Sequence, residues 1–483
     1  MLTESEIKRF IDDYNSSERR QFAALGQRYY EGDHDIKKYK MYYYNADGKL
    51  MEDNTRANCK ISHPFFTELV DQLAAYMLSF EENPIQAKPK AEGLQEYLDT
   101  YFDDDFWAEI QELITGTNAK GYEYLYAYQR KDDRIGFQCA DSMGVVEVRE
   151  QDTDDHCSYV IYWYVDRIEK GRKLIKRIQV HTANEIHYFV QANNGKIKPD
   201  TDAPLNPRPS VVWTEKDGKK YGKGFGFIPF WRLDNNRKQF SGLKPIKALI
   251  DDYDLMSCGL SNNLVDFDTP IHVVAGFQGH DLDELVTNIK TKKVVGVDAD
   301  GGLDVKTVDI PYAARKEKLE IDEKNIYRFG MGLNTSGLKD TTATTNLAIK
   351  AAYSLLDLKA NKLTMRLKRF LRPIIKVVLD EINAKNKTDY KVSDVTIHFE
   401  HIIPTNESEN AQNEFVLSQA EQMRVNTVLQ AATVLGDEQV LRSLCDILDL
   451  DFDKLQANIA ERQEVQNFLG AEAVLQGVVT DEI

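Results

Sequence analysis

The chain has 483 residues, and its 42% hydrophobic and 29% charged residues are typical of a soluble globular protein with more than one subdomain. No apolar run approaches the roughly 20 residues of a membrane-spanning helix, and the acidic N-terminus is unlike a signal peptide, so we expect a cytosolic chain without a membrane partner. A net charge of −17 argues against a simple nucleic-acid-binding protein, because such proteins are usually basic.

Helical patterns dominate the N-terminal part of the chain. Thr3 and Glu6 have the spacing of a capping box at the start of a first helix, and Pro64 favours the start of another. A further helix is predicted over about 94–120, where apolar residues recur at helical spacing. The acidic residues 103–105 are interpreted as an N-terminal helix cap.

The apolar pattern then changes from a helical period to an alternating one. Tyrosines alternate in Tyr122–Tyr128, which indicates a half-buried strand. Three similar strands follow, at 159–165, 173–182 and 185–190. Asn193-Asn194-Gly195 suits a hairpin turn. Residues 122–232 are therefore predicted to be mainly antiparallel β-sheet.

Two helices enclose a second, shorter β segment. The first helix is predicted over Pro245–Phe267. The second, over Pro311–Phe329, is rich in charge pairs and has few large apolar residues. Between them, β-like runs are predicted at 271–275, 293–297 and 303–308, with a short helix at 283–291.

The segment Gly332–Leu347 is polar and rich in Thr, and it precedes a long helix predicted over 345–383. Pro373 should kink or interrupt that helix. Ser, Thr, Asn and Lys side chains can contact phosphate oxygens without recognising base sequence, but an ordinary polar linker has the same composition, so both interpretations stay open. A strand at Val395–Glu400 and three or four amphipathic helices complete the chain.

Charge is distributed unevenly along the chain. Residues 404–483 contain 15 acidic and 4 basic residues, a net charge of −11. Residues 345–385 contain 9 basic and 3 acidic residues, a net charge of +6. The sequence thus predicts a basic long helix and an acidic C-terminal region.

Motifs that would indicate catalysis or metal binding are scarce. The five cysteines are far apart and form no Cys-x-x-Cys pair, so they are predicted to be free thiols. His398 and His401 would point to opposite faces of a strand, which disfavours a shared metal ion. The glycine-rich stretch 218–224 lacks the spacing and the Ser or Thr of a phosphate-binding loop. We therefore predict no catalytic residue, no metal and no cofactor.

Several short motifs lie in the N-terminal third of the chain. They are Tyr29-Tyr30-Glu31-Gly32-Asp33-His34-Asp35-Ile36, Asn58-Cys59-Lys60-Ile61, Pro64-Phe65-Phe66, Leu69-Val70-Asp71-Gln72 and Ala75-Tyr76-Met77-Leu78. With the order of elements over nearly the whole chain, they resemble the portal proteins of tailed bacteriophages, specifically siphophage-type portals of Gram-positive hosts. Lys60 stands where Arg is commoner in that family, and Ala75 and Ser79 stand where Gly is commoner; these differences concern packing rather than chemistry.

The resemblance implies an α+β, multi-domain portal fold. That fold has a β-rich wing, a helical stem, a small α/β clip, a tunnel loop, a long spine helix and an all-α crown. The corresponding regions would be 1–244 for the wing, 245–267 and 311–330 for the stem, 268–310 for the clip, 331–403 for the tunnel loop, long helix and strand, and 404–483 for the crown.

The resemblance also implies a function. Portal proteins form rings of about twelve copies at one capsid vertex, and double-stranded DNA passes through the ring during packaging and ejection, independently of its sequence. The expected partners are further copies of the chain, DNA, the terminase large subunit, major capsid and scaffolding proteins, and a head–tail adaptor. We expect a virion location after assembly in the host cytoplasm, and no enzymatic activity. The alternative is a ring-forming connector or scaffold subunit that does not conduct DNA.

Three sets of site residues follow from the resemblance. The DNA-facing set in the tunnel loop is Asn334, Thr335, Lys339, Thr341, Thr342, Thr344 and Thr345. The clip set, which would face the packaging motor, is Gln278, Lys290, Lys292 and Lys293, although a solvated hairpin explains the clip lysines equally well. The stem set, which would line the channel, is Lys316, Lys318 and Glu320.

Overall fold

A computed structural model describes residues 1–54, 56–149, 157–169, 173–214, 220–267, 271–275, 300, 302–306, 311–335, 346–403, 407–432, 434–448, 451–452 and 454–456. The chain divides into two compact units. The first contains Met1–Asp340 and Ala351–Ile403, and the second contains Thr341–Lys350 and Pro404–Ile483. The described β-sheets belong to the first unit, and the described part of the second is helical.

The N-terminal region is helical, as predicted. Its helices are α1 (Glu4–Ser16), α2 (Glu18–Tyr30), α3 (Phe65–Met77), α4 (Leu94–Tyr101) and α5 (Asp104–Lys120). The capping box is confirmed, because the Thr3 hydroxyl accepts a hydrogen bond from the Glu6 N–H while the Glu6 carboxylate accepts one from the Thr3 N–H at 2.8 Å. Pro64 directly precedes α3, which confirms the predicted start of that helix.

The single helix predicted over 94–120 was wrong, since this stretch forms two helices, α4 and α5. The break falls where the Asp103 carboxylate accepts a hydrogen bond from the Phe106 N–H at 3.0 Å and so caps α5. Phe102 and Phe106 are both buried in one core, with ring centroids 4.9 Å apart. The apolar spacing therefore continues across the break and conceals it, although the interpretation of the acidic residues as a cap was correct.

The predicted antiparallel β region is confirmed, but the half-buried strand predicted at 122–128 was wrong in its burial, because Tyr122–Leu125 is buried on both faces. The strands up to residue 234 are β1 (Tyr42–Tyr44), β2 (Leu50–Glu52), β3 (Ile85–Ala87), β4 (Tyr122–Gln129), β5 (Ile135–Ala140), β6 (Val145–Val148), β7 (Tyr159–Glu169), β8 (Lys173–His181), β9 (Glu185–Ala192), β10 (Ile197–Pro199), β11 (Arg208–Pro209), β12 (Val211–Thr214), β13 (Lys220–Lys223) and β14 (Phe230–Asp234). One sheet has the order β10–β9–β8–β7–β6, with β11 also beside β9, and another has β4 between β14 and β5. Asn193 and Asn194 have φ values of 48° and 59°, which suits the predicted turn.

The second half of the chain begins with the two predicted helices, α6 (Lys247–Phe267) and α7 (Tyr312–Gly330). Between them, β15 (Ile271–Ala275) pairs antiparallel with β16 (Gly302–Lys306). The predicted strand at 293–297 and helix at 283–291 lie outside the described residues. The remaining elements are α8 (Asn346–Asn386), β17 (Val395–Ile397), which pairs with β3, and, in the second unit, α9 (Glu407–Ala431) and α10 (Asp437–Leu448).

The long helix α8 has 41 residues and continues through Pro373, so the predicted interruption does not occur. Pro373 lies on the exposed side of the helix. Water can therefore hydrogen-bond the carbonyl of Arg369, which loses its helical partner at the proline. The opposite face is buried against α3, α4 and α5 and forms the largest core of the first unit.

The motif Tyr29–Ile36 is fixed to α6 by polar contacts. The Tyr29 hydroxyl donates a hydrogen bond to the Asp251 carboxylate at 2.5 Å. The Lys247 ammonium group lies 2.7 Å from the Asp35 carboxylate and 2.6 Å from that of Asp251. One of the motifs that carry the family resemblance therefore holds α2 against α6.

A segment without regular secondary structure, Ala57–His63, runs along α6 in the opposite direction and is named the strap. Every second backbone N–H of the strap donates to a side chain on every fourth residue of α6. The N–H groups of Ala57, Cys59, Ile61 and His63 reach, in that order, Asp266 at 2.9 Å, Asn262 at 2.6 Å, Cys258 at 3.2 Å and Asp254 at 2.9 Å. The spacings match because two residues of extended chain advance about 6.6 Å and four residues of helix about 6.0 Å.

Among the four α6 side chains that bond the strap, which form a row along the helix, Asp254 makes the most hydrogen bonds. Its buried carboxylate lies 2.6 Å from Nδ1 of His34 and 2.8 Å from Nδ1 of His63. Burial alone would raise the pKa of Asp254, but the hydrogen bonds from His34 and His63 outweigh burial and hold that pKa below its ordinary value.

Replacing Asp254 by Asn should lower the free energy of unfolding by about 2–4 kcal/mol, because a buried, multiply hydrogen-bonded charge is lost. Asp252→Asn is the matched control on the same helix, since its carboxylate is 40% exposed and pairs with Lys318 at the surface. That control should cost no more than about 1 kcal/mol. Thermal denaturation followed by circular dichroism measures both, and equal losses would contradict the prediction.

The pH dependence of the free energy of unfolding gives a second test of the contribution of the Asp254 charge. Because its folded-state pKa is lowered, its contribution is complete above the ordinary value of 3.8 and is lost as the pH falls through the lowered pKa. The stability difference between the native protein and Asp254→Asn should therefore shrink in acid. A difference that is constant from pH 7 to pH 3 would show that the charge contributes nothing.

Candidate functional site

The structure describes only part of the predicted site. Asn334 and Thr335 at the start of the tunnel loop and all three stem residues lie within the described residues. The other tunnel-loop residues (Lys339, Thr341, Thr342, Thr344 and Thr345) and the whole clip set (Gln278, Lys290, Lys292 and Lys293) lie outside them. The geometry that can be analysed is therefore that of the stem and of the point where the loop leaves α7.

The loop leaves α7 through a compact turn, Gly330–Leu333, here named the loop base. Met331 is in the left-handed conformation with φ 56°, and the Gly332 N–H donates to the Tyr327 carbonyl at 3.0 Å, which closes the helix end. A Cβ atom on Gly332 would lie 2.0 Å from Cδ2 of Leu69, and one on Gly330 would lie 2.6 Å from Cδ1 of the same residue. Both glycines thus allow α3 to approach the loop base closely.

Gln72 of α3 holds the backbone of Leu333 by two hydrogen bonds. Its amide nitrogen donates to the Leu333 carbonyl, and its amide oxygen accepts from the Leu333 N–H, both at 3.0 Å. One turn earlier on α3, the Glu68 carboxylate accepts a hydrogen bond from the Tyr327 hydroxyl at 2.6 Å. Leu333 is only 8% exposed, so the loop base is fixed to α3 before the polar part of the loop begins.

Lys359 of α8, which follows the tunnel loop in the sequence, also contacts the loop base. Its ammonium group donates to the Gly330 carbonyl at 3.0 Å, at the negative end of the α7 dipole. Part of the Lys359 side chain reaches solvent, but burial around the ammonium group lowers its pKa to about 8. Three helices, α3, α7 and α8, therefore meet at the loop base.

The two described tunnel-loop residues differ in their surroundings. The Asn334 amide nitrogen lies 3.5 Å from the Glu323 carboxylate on α7, at the limit of a hydrogen bond. Thr335 is exposed. Asn334 thus faces back toward α7, and contact of either residue with DNA stays a prediction.

The stem residues separate into two environments. Lys316 lies 3.8 Å from Glu320, one turn along α7, and both side chains are 60% exposed. Lys318 instead contacts Asp252 of α6 at 2.5 Å and Asp322 of α7, and these hydrogen bonds raise its pKa. Lys316 and Glu320 therefore lie on a free surface of α7, whereas Lys318 joins α7 to α6.

The described part of the chain contains neither a cluster of metal ligands nor a membrane-spanning helix. In that part of the chain, no group of three or more His, Cys, Asp or Glu side chains is placed to hold a metal ion. No described helix is long and apolar enough to cross a membrane. The five cysteines are free thiols.

Comparison with known sequences decides the family. The profile of the family described as "Phage portal protein, SPP1 Gp6-like" matches residues 10–464. The chain belongs to this family of phage portal proteins. The match begins within α1 and extends past α10, so both units of the chain are included, and the resemblance seen in the motifs is confirmed.

Two curated relatives carry the name portal protein. The chain is 25% identical to the portal protein of Bacillus phage SPP1 over 408 residues, which are 84% of this chain and 78% of that protein. It is 27% identical to the portal protein of Clostridium phage phiCD119 over 400 residues, which are 77% of this chain and 81% of that protein. The mixed helix-and-sheet fold agrees with the α+β class predicted for a portal, and portal proteins are structural components of the phage capsid with roles in genome packaging and head–tail connection.

Sequence reasoning missed the residues that fix the loop base. Gln72 lies in a motif that carried the family resemblance, but its partners are backbone groups, which leave no signature in the residue types around it. Lys359 is one of nine basic residues between 345 and 385. Nothing in its sequence context separates it from its exposed neighbours.

Replacing Gln72 by Met should loosen the loop base. The variant keeps the side-chain length but leaves a buried N–H and carbonyl of Leu333 without partners, at a cost of about 1–3 kcal/mol. Hydrogen–deuterium exchange of the peptide containing residues 330–335 should become faster. The control is Gln21→Met, because Gln21 is exposed and donates one surface hydrogen bond. Unchanged exchange in the Gln72 variant would show that the two hydrogen bonds from Gln72 do not hold the loop base.

Lys359 should make stability depend on alkaline pH. Its folded-state pKa of about 8 lies below the ordinary 10.5, so the unfolded chain binds this proton more tightly and stability should rise as the pH increases from 8 to 10.5. Lys359→Met should lack this rise, whereas the control Lys362→Met, at an exposed position of α8, should keep it. Thermal denaturation midpoints across this pH range test the prediction. Parallel pH profiles for the native protein and both variants would refute the burial of the ammonium group.

Proposed function

We propose that the protein is a portal subunit, and that about twelve copies form a ring at one capsid vertex with a central channel for double-stranded DNA. The single observation that carries the proposal is the match to the phage portal family over residues 10–464. The two relatives named portal proteins, aligned over more than three quarters of this chain, support it.

The order of elements supports the assignment of regions within this proposal. The paired helices α6 and α7 correspond to the stem at 245–267 and 311–330, and the β15–β16 pair between them belongs to the clip at 268–310. Residues 1–244 are the wing, and 331–403 hold the tunnel loop, long helix and strand. Helices α9 and α10 belong to the crown at 404–483.

A channel through which DNA slides should bind DNA weakly. Each phosphate neutralised by a protein cation releases a counterion, so a strongly basic wall would hold DNA tightly and stop its movement. Residues 404–483 carry a net charge of −11, and Lys339 in the loop is followed by Asp340. On the free surface of α7, Lys316 is paired with Glu320. These features favour a wall of low or negative charge with a few weak contacts.

The loop base suits a loop that bears force from moving DNA. Gln72 and Lys359 attach the base to α3 and α8, and Gly332 packs against Leu69. Force on the polar part of the loop would therefore pass into three packed helices rather than into a flexible linker. The hydroxyl groups and the single lysine of the loop would contact phosphates without recognising sequence.

The remaining partners follow from the same proposal. The clip would dock the terminase large subunit during packaging and the head–tail adaptor afterwards. The wing would face the major capsid and scaffolding proteins. Hydrolysis of ATP would belong to the terminase, and the portal subunit itself would act only as a channel and docking ring.

A packaging assay with purified components tests the role of the loop. The double variant Lys339→Glu and Thr341→Ala should form rings but package DNA roughly tenfold less, as expected for the loss of about 1.4 kcal/mol of loop–DNA interaction. Lys131→Glu, an exposed charge reversal in the turn between β4 and β5, should package normally. Normal packaging by the double variant would show that the loop does not contact DNA.

Negative-stain imaging and mass photometry of the purified protein test the ring. A ring of about twelve copies with a central hole is expected. A protein that stays monomeric at micromolar concentration would overturn the portal proposal. A ring that supports no packaging at all with its motor would favour the non-conducting connector.

A further inference from the structure

The hairpin formed by β1 and β2 exposes an unusual amount of apolar surface. All the residues of both strands are exposed, and Tyr44 is the most exposed of them at 73%. The two strands form a sheet of their own within the described part of the chain. A two-stranded hairpin is at best marginally stable in water, so a partner surface is expected to cover it.

The hairpin is nevertheless fully formed in the single chain. The Asn45 side chain accepts hydrogen bonds from the N–H groups of Asp47 at 3.1 Å and Lys49 at 2.8 Å, which fixes the turn. At the open end, Lys40 pairs with Glu52 at 2.7 Å. A partner would therefore meet a preformed surface and would lose little free energy to ordering it.

Both ends of the hairpin are attached to α6. Before it, His34 contacts Asp254, and after it the strap begins with the hydrogen bond from Ala57 to Asp266. The hairpin is thus presented at a fixed position on the proposed stem, rather than on a free arm.

One edge of the hairpin is open to a further strand. The backbone hydrogen bonds of Asn45 with Lys49 and of Asp53 with Met41 fix the alternation of the ladder, so the N–H and carbonyl groups of Tyr42 and Tyr44 point away from β2. Edge strands are normally protected by lysine, proline or a bulge. β1 consists of three tyrosines and has no such protection.

The size and charge of the surface indicate the kind of partner. Six large side chains are 40–73% exposed: Tyr39, Tyr42, Tyr43, Tyr44, Leu50 and Met51. In the strand register, Tyr42, Tyr44 and Leu50 share one face and Tyr43 and Met51 the other, so a total of about 500 Å² is divided between two faces. This total lies in the range of the largest apolar patch on a monomer, and such a patch often marks an interaction site. Residues 39–53 contain two basic and three acidic residues, so their net charge of −1 disfavours DNA.

We propose that the β1–β2 hairpin is a contact between copies, packing against the neighbouring subunit of the ring and accepting a strand of that subunit along the outer edge of β1. The inference rests on the proposed ring. A ring of identical copies gives every hairpin a permanent neighbour in the same geometry through a head-to-tail interface. A motor that docks only during packaging would leave the same apolar surface uncovered for the rest of the assembly.

Hydrogen–deuterium exchange on the purified full-length protein, without other phage proteins, tests the proposal. The peptide covering residues 39–53 should be protected in the ring relative to the dissociated chain, with the added protection at Tyr42 and Tyr44. Equal exchange in ring and single chain would overturn the inference and leave the ring itself intact. Protection that occurs only in virions would also overturn it, because the partner would then be another protein.

Two variants of Tyr44 separate the contribution of its backbone N–H, on the outer edge of β1, from that of its side chain. Tyr44→Pro removes an outward N–H that the hairpin itself does not use, and it should weaken ring assembly at least tenfold in sedimentation velocity. Tyr44→Thr keeps the N–H and the strand propensity, so it should weaken assembly less. Equal behaviour of Tyr44→Pro and the native protein would refute strand addition. Failure of the native protein to form any ring would instead refute the proposed function.

Discussion

The row of polar side chains along α6 determines where much of the N-terminal region lies. Asp254, Cys258, Asn262 and Asp266 each accept a backbone hydrogen bond from the strap. Without these bonds, residues 33–63 would be a long connection whose described sheet is a hairpin of two three-residue strands, which is unusual in a compact domain. The strap also leads directly into the start of α3. Leu69, Gln72 and Glu68 of α3 in turn hold the loop base. The position of the proposed tunnel loop therefore depends, through two further steps, on hydrogen bonds made by α6.

The loop base shows how a polar loop can be attached firmly without large apolar side chains of its own. Its glycines allow Leu69 to pack against backbone, and side chains from α3 and α8 hydrogen-bond the Leu333 backbone and the Gly330 carbonyl. Burial lowers the pKa of Lys359 there, and its ammonium group faces a helix C-terminus. The loop base thus provides the firm attachment, whereas the polar residues follow it in the sequence.

The elements that could be predicted from the sequence are those with local signals. The capping box at Thr3, the proline before α3, the alternating tyrosines of β4 and the asparagine turn after β9 each lie within a few residues of the structure they specify. The break between α4 and α5 was missed because its apolar spacing is continuous. The strap and Gln72 could not be found, since their partners lie about two hundred or more residues away and include main-chain atoms. In the candidate site, the Lys316–Glu320 and Lys318–Asp322 pairs of α7 follow from local i,i+4 spacing.

The strap has a consequence for how such chains can diverge. The α6 row binds N–H groups that every residue except proline possesses, so an exposed strap side chain such as Lys60 can be exchanged, provided that no proline enters at the bonded positions. His63 is an exception, because its side chain also bonds Asp254. Insertion or deletion of a single residue would move every second N–H to the other side and break the bonds beyond that point together. The sequence of the strap should therefore diverge by substitution at constant length. The four positions on α6 should change only to other hydrogen-bond acceptors.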